Sequence, residues 1–358
     1  YSKPGMGVVT VGKICGVVCM SITKILSDID ETRREAADRS KYKKLPSAVK
    51  SWMKAWPAQP TNTDILRASQ LFFMCPREFV LNYWQPKDNR NFDYKSYLMM
   101  STGTHLHHYL QNYVLGPMGI LWGDWIGREG KADGFVSSRG FHPDPHKALE
   151  DTANQTALRY EYEELKCFDA QYRIAGHIDG QIDLDRIEWL HKNATALRTT
   201  SLQAIDYLRG MPQGAIVNLE IKTCGSYPFG NLIDSNSIPE YYKMQAEIYQ
   251  KMTGVSKTVF WYINRDTMES KLLLYEFTGR WWKDAVRKAT IVWRAIRDET
   301  LPISAMACHT PKDKRAKECA FRKPCFDEMD FKEYVKIGKE RAEKEGRKLL
   351  NLSGFESG

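Results

Sequence analysis

Glu220 and Lys222 stand two apart in a β-branched stretch, residues 215–222, that follows a Pro-Gln-Gly turn signal. In a strand, side chains two apart share a face. The spacing therefore points the carboxylate and the amine the same way and turns Ile221 into a core. Residues 172–179 alternate and stop at Gly180, which predicts a second strand closing on Asp179. Side by side, Asp179, Glu220 and Lys222 suit a divalent cation and an activated water. The competing reading of Glu-x-Lys is a solvated surface pair. Asp183 and Asp185 share the parity of Asp179 and compete for the ligand role. Gly176 and Gly180 flank Asp179, however, and allow close backbone approach there.

Three further groups carry chemistry. His107 follows Gly103-Thr104 in a helical stretch, so the glycine permits close packing while the imidazole projects from one face. His105 and His108 flank it, and any one of the three can bind a metal alone. Gln245 and Tyr249 are four apart on a second helix and share a face. There they can reach a phosphate or support the lysine, or simply form a half-buried helix surface. Cys308, Cys319 and Cys325 lie in a basic, proline-containing loop, and Cys75 precedes Pro76 far upstream. Four thiolates can hold a [4Fe–4S] cluster or a structural zinc; the bland reading is unrelated free cysteines. Cys15 and Cys19 are a weaker candidate pair, and Cys167 and Cys224 have no such context.

These residues need elements to position them. Helical patterns cover 21–44, 63–83, 97–114, 146–159, 239–253 and 280–299, and a charged helix follows Phe326. The 63–83 helix should kink or restart at Cys75-Pro76, with Leu66, Leu71, Phe72, Phe79 and Val80 as core candidates. Residues 160–167 and 172–187 read as strands of one antiparallel sheet, and 257–264 and 271–277 as two more strands. Residues 116–145 are rich in Gly, Trp and Pro and read as loop with short strands. The insert 188–210 separates the Asp179 strand from the Glu220 strand and should lie near the mouth of the site.

At 358 residues the chain can bury a full core. Its net charge of +8 permits an anionic partner without naming one. Eight cysteines are too sparse for a small disulfide scaffold. No apolar run is long enough to span a bilayer, so no membrane partner and an intracellular location are expected. Residues 7–20 form a short apolar patch broken by Lys13, an N-terminal strand or remnant rather than a convincing leader. No phosphate-binding Gly-x-x-x-x-Gly-Lys-Ser/Thr loop is present, which excludes a fused helicase motor.

In order along the chain, Gly103 to His107, Gly176 to Asp179, Glu220 to Lys222 and Gln245 to Tyr249 resemble the motif series of the RecB-family branch of the PD-(D/E)XK nucleases. The cysteine layout is similar to the iron–sulfur subset of that family, which includes CRISPR-associated nucleases, the AddB nuclease domain and single-strand DNA exonucleases. The resemblance covers roughly residues 63–326. It departs from the family in the ten-residue gap between Cys308 and Cys319, which leaves His309 as an alternative to Cys308, and in the long 188–210 insert.

The resemblance implies an α/β fold: a mixed central sheet flanked by helices, with a cluster tying the C-terminal segment to the Cys75 helix. It implies an N-terminal arm over 1–62, a nuclease domain over 63–326 and a terminal helix and tail over 327–358. It implies that His107, Asp179, Glu220 and the backbone carbonyl of Ile221 bind Mg²⁺ or Mn²⁺. Lys222 would assist catalysis, Gln245 and Tyr249 would position DNA, and Cys75, Cys308, Cys319 and Cys325 would hold [4Fe–4S], with Zn²⁺ as the alternative. The expected activity is metal-dependent cleavage of single-stranded DNA or duplex ends, as an exonuclease of recombination, repair or spacer processing. Two other classes compete: a non-catalytic nucleic-acid-binding module, and a zinc-stapled protein with no nuclease role.

Overall fold

The computed structural model describes residues 63–87, 94–128, 135–154, 158–186, 216–303, 308, 310–326, 330–353 and 355. The expected helix over 21–44, Cys15, Cys19, His309 and the 188–210 insert lie outside them. The described elements form a mixed α/β arrangement of two sheets and flanking helices. In chain order these are β1 (Leu66–Arg67), α1 (Ala68–Leu71), α2 (Pro76–Trp84) and α3 (Tyr94–Tyr109), which runs into a π-helical turn at Leu110–Leu115. Next come β2 (Leu121–Arg128), β3 (Phe135–Phe141), α4 (Pro145–Asn154), β4 (Tyr160–Glu163), β5 (Leu165–Asp169), β6 (Ile174–Ile178) and β7 (Gly180–Asp183). After the insert follow β8 (Ile216–Cys224), α5 (Ser226–Ser235), α6 (Glu240–Thr253), β9 (Lys257–Asn264), β10 (Ser270–Glu276) and α7 (Arg280–Arg297). The short helices α8 (Lys314–Glu318) and α9 (Arg322–Phe326) precede α10 (Phe331–Lys344).

The larger sheet has the order β10-β9-β8-β7-β2-β3, with β4 also paired to β2. Its β8–β9 pair is parallel and the others are antiparallel. The smaller sheet is β1-β6-β5. Alternation along β8 sends Val217, Leu219 and Ile221 into one core with β2, β7 and β9. Asn218 and Glu220, equally buried, face the other way. A second core joins the small sheet to α1, α2, α6, α7 and α10.

Two expectations need correction. Residues 160–167 and 172–187 are not strands of one sheet. Each is split by a single residue: β4 and β7 belong to the large sheet, β5 and β6 to the small one. The dividing residues are Glu164 and Asp179. A ladder that changes sheets must release backbone groups at the turn, and buried groups must find other partners. Side chains supply some of these, as described below. Residues 116–145 also hold two full strands, β2 and β3, of eight and seven residues. Gly123, Gly127 and Gly140, which read as loop signals, lie within these strands, whose Trp125 is fully buried.

The helix expected over 63–83 begins only at Ala68, because residues 66–67 pair with the small sheet as β1; its restart at Cys75-Pro76 is as expected. Cys75 takes an extended backbone (φ −88°, ψ 117°) and Pro76 opens α2, because proline disfavours helical geometry in the residue before it and suits the first helical position.

Candidate active site

The register of the strands places the carboxylates. β5 and β6 oppose Leu165 and Ile178, so Glu164 and Asp179 occupy the next position. β7 and β8 oppose Gly180 and Leu219, so the next position faces Asp179 with Glu220. Asp179 thus sits between two glutamates at the seam where the chain passes from one sheet to the other.

Asp179 is held on every side. Its Oδ2 accepts a 2.6 Å hydrogen bond from the Ile221 amide. Its Oδ1 lies 3.1 Å from His107 Nδ1. Its backbone carbonyl accepts from Gln111 Nε2 at 2.8 Å. Gln111 is delivered by the π-helical turn that ends α3, a type of irregularity frequent at functional sites. His107 arrives because α3 approaches β8 closely at Gly103, where an added Cβ would stand 3.3 Å from Thr223 Oγ1.

Glu220 is 1% exposed. Its Oε2 is 2.5 Å from Lys222 Nζ and accepts from Gln245 Nε2 at 3.2 Å. Its Oε1 is buried and has no partner among the described residues, and a buried carboxylate oxygen left unbonded is costly. Gln245 also reaches the Tyr249 hydroxyl at 3.4 Å. Both residues are buried, so this pair braces Glu220 rather than projecting outward to position a strand of DNA. Tyr249 packs against bare backbone at Gly176, where a Cβ would stand 2.5 Å from its ring.

Electrostatics follow from that crowding. Burial, opposed by Lys222 and aided by Asp179, pushes the Glu220 carboxyl up to about 7. Burial and Asp179 push Glu164 up to about 7 as well. Burial would raise Asp179 too, but the His107 hydrogen bond and charge outweigh it and hold the carboxyl below its usual range. Burial would lower His107, yet Asp179 raises it on balance. Burial would lower Lys222, but Glu220 and Asp179 outweigh it and hold the ammonium proton more firmly than usual.

Among the described residues, His107, Glu164 and Asp179 bring three ligand atoms within 4.8 Å of one another. This trio fits a hard divalent cation, and the β7–β8 register sets Glu220 across from Asp179. His105 instead contacts the Ser101 carbonyl at 2.7 Å and His108 lies near the Tyr113 ring, so the fold separates His107 from its neighbours. Asp183 accepts from the Asp185 and Arg186 amides in a turn at the end of β7. Neither Asp183 nor Asp185 joins the site. The Ile221 side chain lies in the core and its amide serves Asp179.

Glu164 is the member of this cluster that sequence pattern does not single out. Its signal was weak: in 160–167 it follows Tyr160 and Tyr162 on one face, and a glutamate there interrupts an aromatic run. Tyr242 was also missed; its ring lies 5.0 Å from Lys222 Nζ.

The cysteines form a second group. Cys75, Cys308, Cys319 and Cys325 line one small pocket together with Arg315 and Phe321. Cys75 is at the start of α2, Cys319 ends α8 and Cys325 lies in α9. Arg77 ties the two segments, donating to the Cys325 carbonyl at 3.0 Å and to the Pro302 carbonyl at 2.9 Å. Lys87 donates to the Ala320 carbonyl at 2.7 Å. Burial pushes the thiols of Cys308, Cys319 and Cys325 up, and Cys75 adds to the push in each case. All four are free of disulfides.

No protein-family model matches the chain, and no curated protein matches it. A solved structure described as "Crystal structure of SSO0001" aligns over 81% of this chain and 100% of its own, at 14% identity and a TM-score of 0.34. So distant a likeness carries no argument. Among the described residues, no helix is long and apolar enough to cross a membrane.

Proposed function

We propose that this chain is a divalent-cation-dependent deoxyribonuclease of the PD-(D/E)XK type, acting on single-stranded DNA or DNA ends in recombination, repair or DNA processing. One observation carries the reading. His107, Asp179, Glu220 and Lys222, scattered over more than a hundred residues, meet at one seam, where Glu220 keeps a buried oxygen with no partner among the described residues. His107, Asp179 and Glu220 would hold Mg²⁺ or Mn²⁺, with the Ile221 carbonyl as a further ligand and Glu164 as an added carboxylate. Bound there, the cation would polarise a phosphate and lower the pKa of a water.

The protein's own groups divide the remaining work. Lys222 keeps its proton under the pull of Glu220 and Asp179, so it serves as a cation facing the developing phosphate charge and not as a general base. Gln245 fixes the rotamer of Glu220, and Gln111 and the Ile221 amide fix Asp179. Such preorganisation limits rearrangement when charge develops.

The cysteine pocket supports a structural [4Fe–4S] cluster. Four thiols from distant segments share it. Zn²⁺ held by the same thiolates is the alternative. The cluster would tie α8 and α9 to α2.

Digestion of end-labelled single-stranded and duplex DNA with Mn²⁺ tests the activity. Shortening of the label in Mn²⁺, none in EDTA and none by Lys222→Ala are the expected results. Equal cleavage in EDTA refutes the reading.

A further inference from the structure

A run of aromatic side chains begins at Lys222. Tyr242 lies beside its ammonium at 5.0 Å. Tyr241 follows, with ring centroids 4.2 Å apart. Phe73 is next, 5.2 Å from Tyr241, and Phe72 flanks both at 5.0 Å and 6.3 Å. Trp281 extends the group at 5.8 Å from Phe72. The rings come from three places in the chain: the loop after α1, the start of α6 and the start of α7. Phe72 and Tyr242 pack partly against the cores, but core packing does not call for the run to end on Phe73, which is 56% exposed.

Cations accompany the rings. Arg315 donates to the Phe73 carbonyl at 2.5 Å, and Lys288 donates to the carbonyls of Leu71 and Phe72. The exposed Arg280 lies over Trp281 at 4.7 Å. Against them, Asp284 is the carboxylate whose charge reaches Lys288. Beyond Arg315, the exposed Lys312, Lys314, Lys317, Arg322 and Lys323 continue the positive charge. A row of rings with flanking cations is how proteins hold an unpaired nucleic-acid strand: bases stack on aromatic faces and phosphates meet the cations. A duplex hides its base faces and gains nothing from such rings.

We propose that Tyr242, Tyr241 and Phe73 form a stacking track that leads an unpaired DNA strand from the Arg315 side to the phosphate position beside Lys222. The proposal rests on the nuclease reading for its DNA substrate. It goes further, because it fixes single-stranded DNA as the form that is bound. Tyr242, nearest the lysine, holds the nucleotide next to the reacting phosphate. Phe73, at the exposed end, meets the strand first.

Affinity measured in EDTA separates this from cleavage. The probe is a fluorescein-labelled oligothymidylate, compared with an abasic oligonucleotide of equal length and a blunt duplex. Phe73→Leu and Tyr241→Leu keep apolar volume and remove the flat ring. Each should weaken oligothymidylate binding by about 10-fold or more, in line with the stacking worth of one base. Each should leave abasic and duplex binding unchanged. Unchanged oligothymidylate binding in both variants overturns the track. So does an equal loss on the abasic strand, or tighter binding of the duplex than of the single strand by the wild-type chain. Should Tyr241→Leu fail to fold, the exposed Phe73 still supplies the test alone. Loss of binding in these variants together with a chain that never cleaves DNA would sink the nuclease reading and keep the track. Mn²⁺-dependent cleavage with unaltered binding would do the reverse.

Discussion

The carboxylate seam and the cysteine pocket are both built from residues far apart in sequence, yet they are held in opposite ways. At the seam, strand ladders set the positions of Glu164, Asp179 and Glu220, and hydrogen bonds from Gln111, Ile221 and Gln245 lock them. The charges sit badly with one another, but the backbone that carries them belongs to two cores. In the pocket, Cys319 caps and Cys325 lies within helices of five residues each, α8 and α9. Helices that short do not persist on propensity alone. The seam is a frame that can wait for a ligand; the pocket is a set of thiols that a ligand would make into a frame. The difference predicts which losses strike chemistry and which strike stability.

The sharpest way to break that contrast is Glu220→Gln. It keeps the shape and the contact with Gln245 but removes an anionic ligand, so Mn²⁺-dependent cleavage should fall by about 100- to 1,000-fold. The melting temperature should stay within a few degrees. A folded, fully active Glu220→Gln chain would remove the seam from the chemistry.

Cys319→Ala should do the converse. Anaerobically purified wild-type chain is expected to be brown, with iron and sulfide in equal amounts. The variant should lose the colour and about 3 kcal/mol of stability, a drop of about 5–10 °C, by analogy with other cross-links that restrict the unfolded chain. Activity per folded molecule should persist. Zinc in that preparation would replace the cluster but keep the staple. A colourless Cys75→Ala chain as stable as wild type would dispose of the staple.

A smaller effect tests whether the seam is as rigid as its ladders suggest. Gly176→Ala places a methyl 2.5 Å from the Tyr249 ring, the ring that backs Gln245. Overpacking of that kind costs about 1–3 kcal/mol, read as a lower midpoint in urea. An unchanged midpoint would mean that Tyr249 moves aside easily and that the brace is soft.

The smallest expected change is at Glu164, the most solvent-accessible of the three carboxylates at the seam. Glu164→Gln should weaken Mn²⁺ binding by about 10-fold in a titration while leaving the fold intact, since it removes one of several oxygen ligands. Undiminished Mn²⁺ affinity would confine the cation to the Asp179 and Glu220 side.

Local pattern determined a great deal. Period-two alternation in β8 was enough to set Glu220 and Lys222 against Ile221, because a strand has only two faces. Helical spacing put Gln245 with Tyr249, and the proline rule restarted the chain at Cys75-Pro76. Strand β9 was legible to the residue, since its β-branched and aromatic run is bounded by turn residues on both sides. What local pattern could not determine were relations between distant segments. Gly180 marked a stop after Asp179, but nothing local said that the chain there enters another sheet, and nothing marked Glu164 at all, because a strand that changes sheets keeps its extended backbone. Only the pairing of β5 with β6 and of β7 with β8 put Glu164 and Asp179 at that turn and faced Asp179 toward Glu220. The inward role of Gln245 and Tyr249 was likewise decided by the close approach of α6 to Gly176. Side-chain type and spacing name the groups that can do chemistry, but the distance between two charges depends on which strands share an edge, and that is settled by the packing of the whole chain.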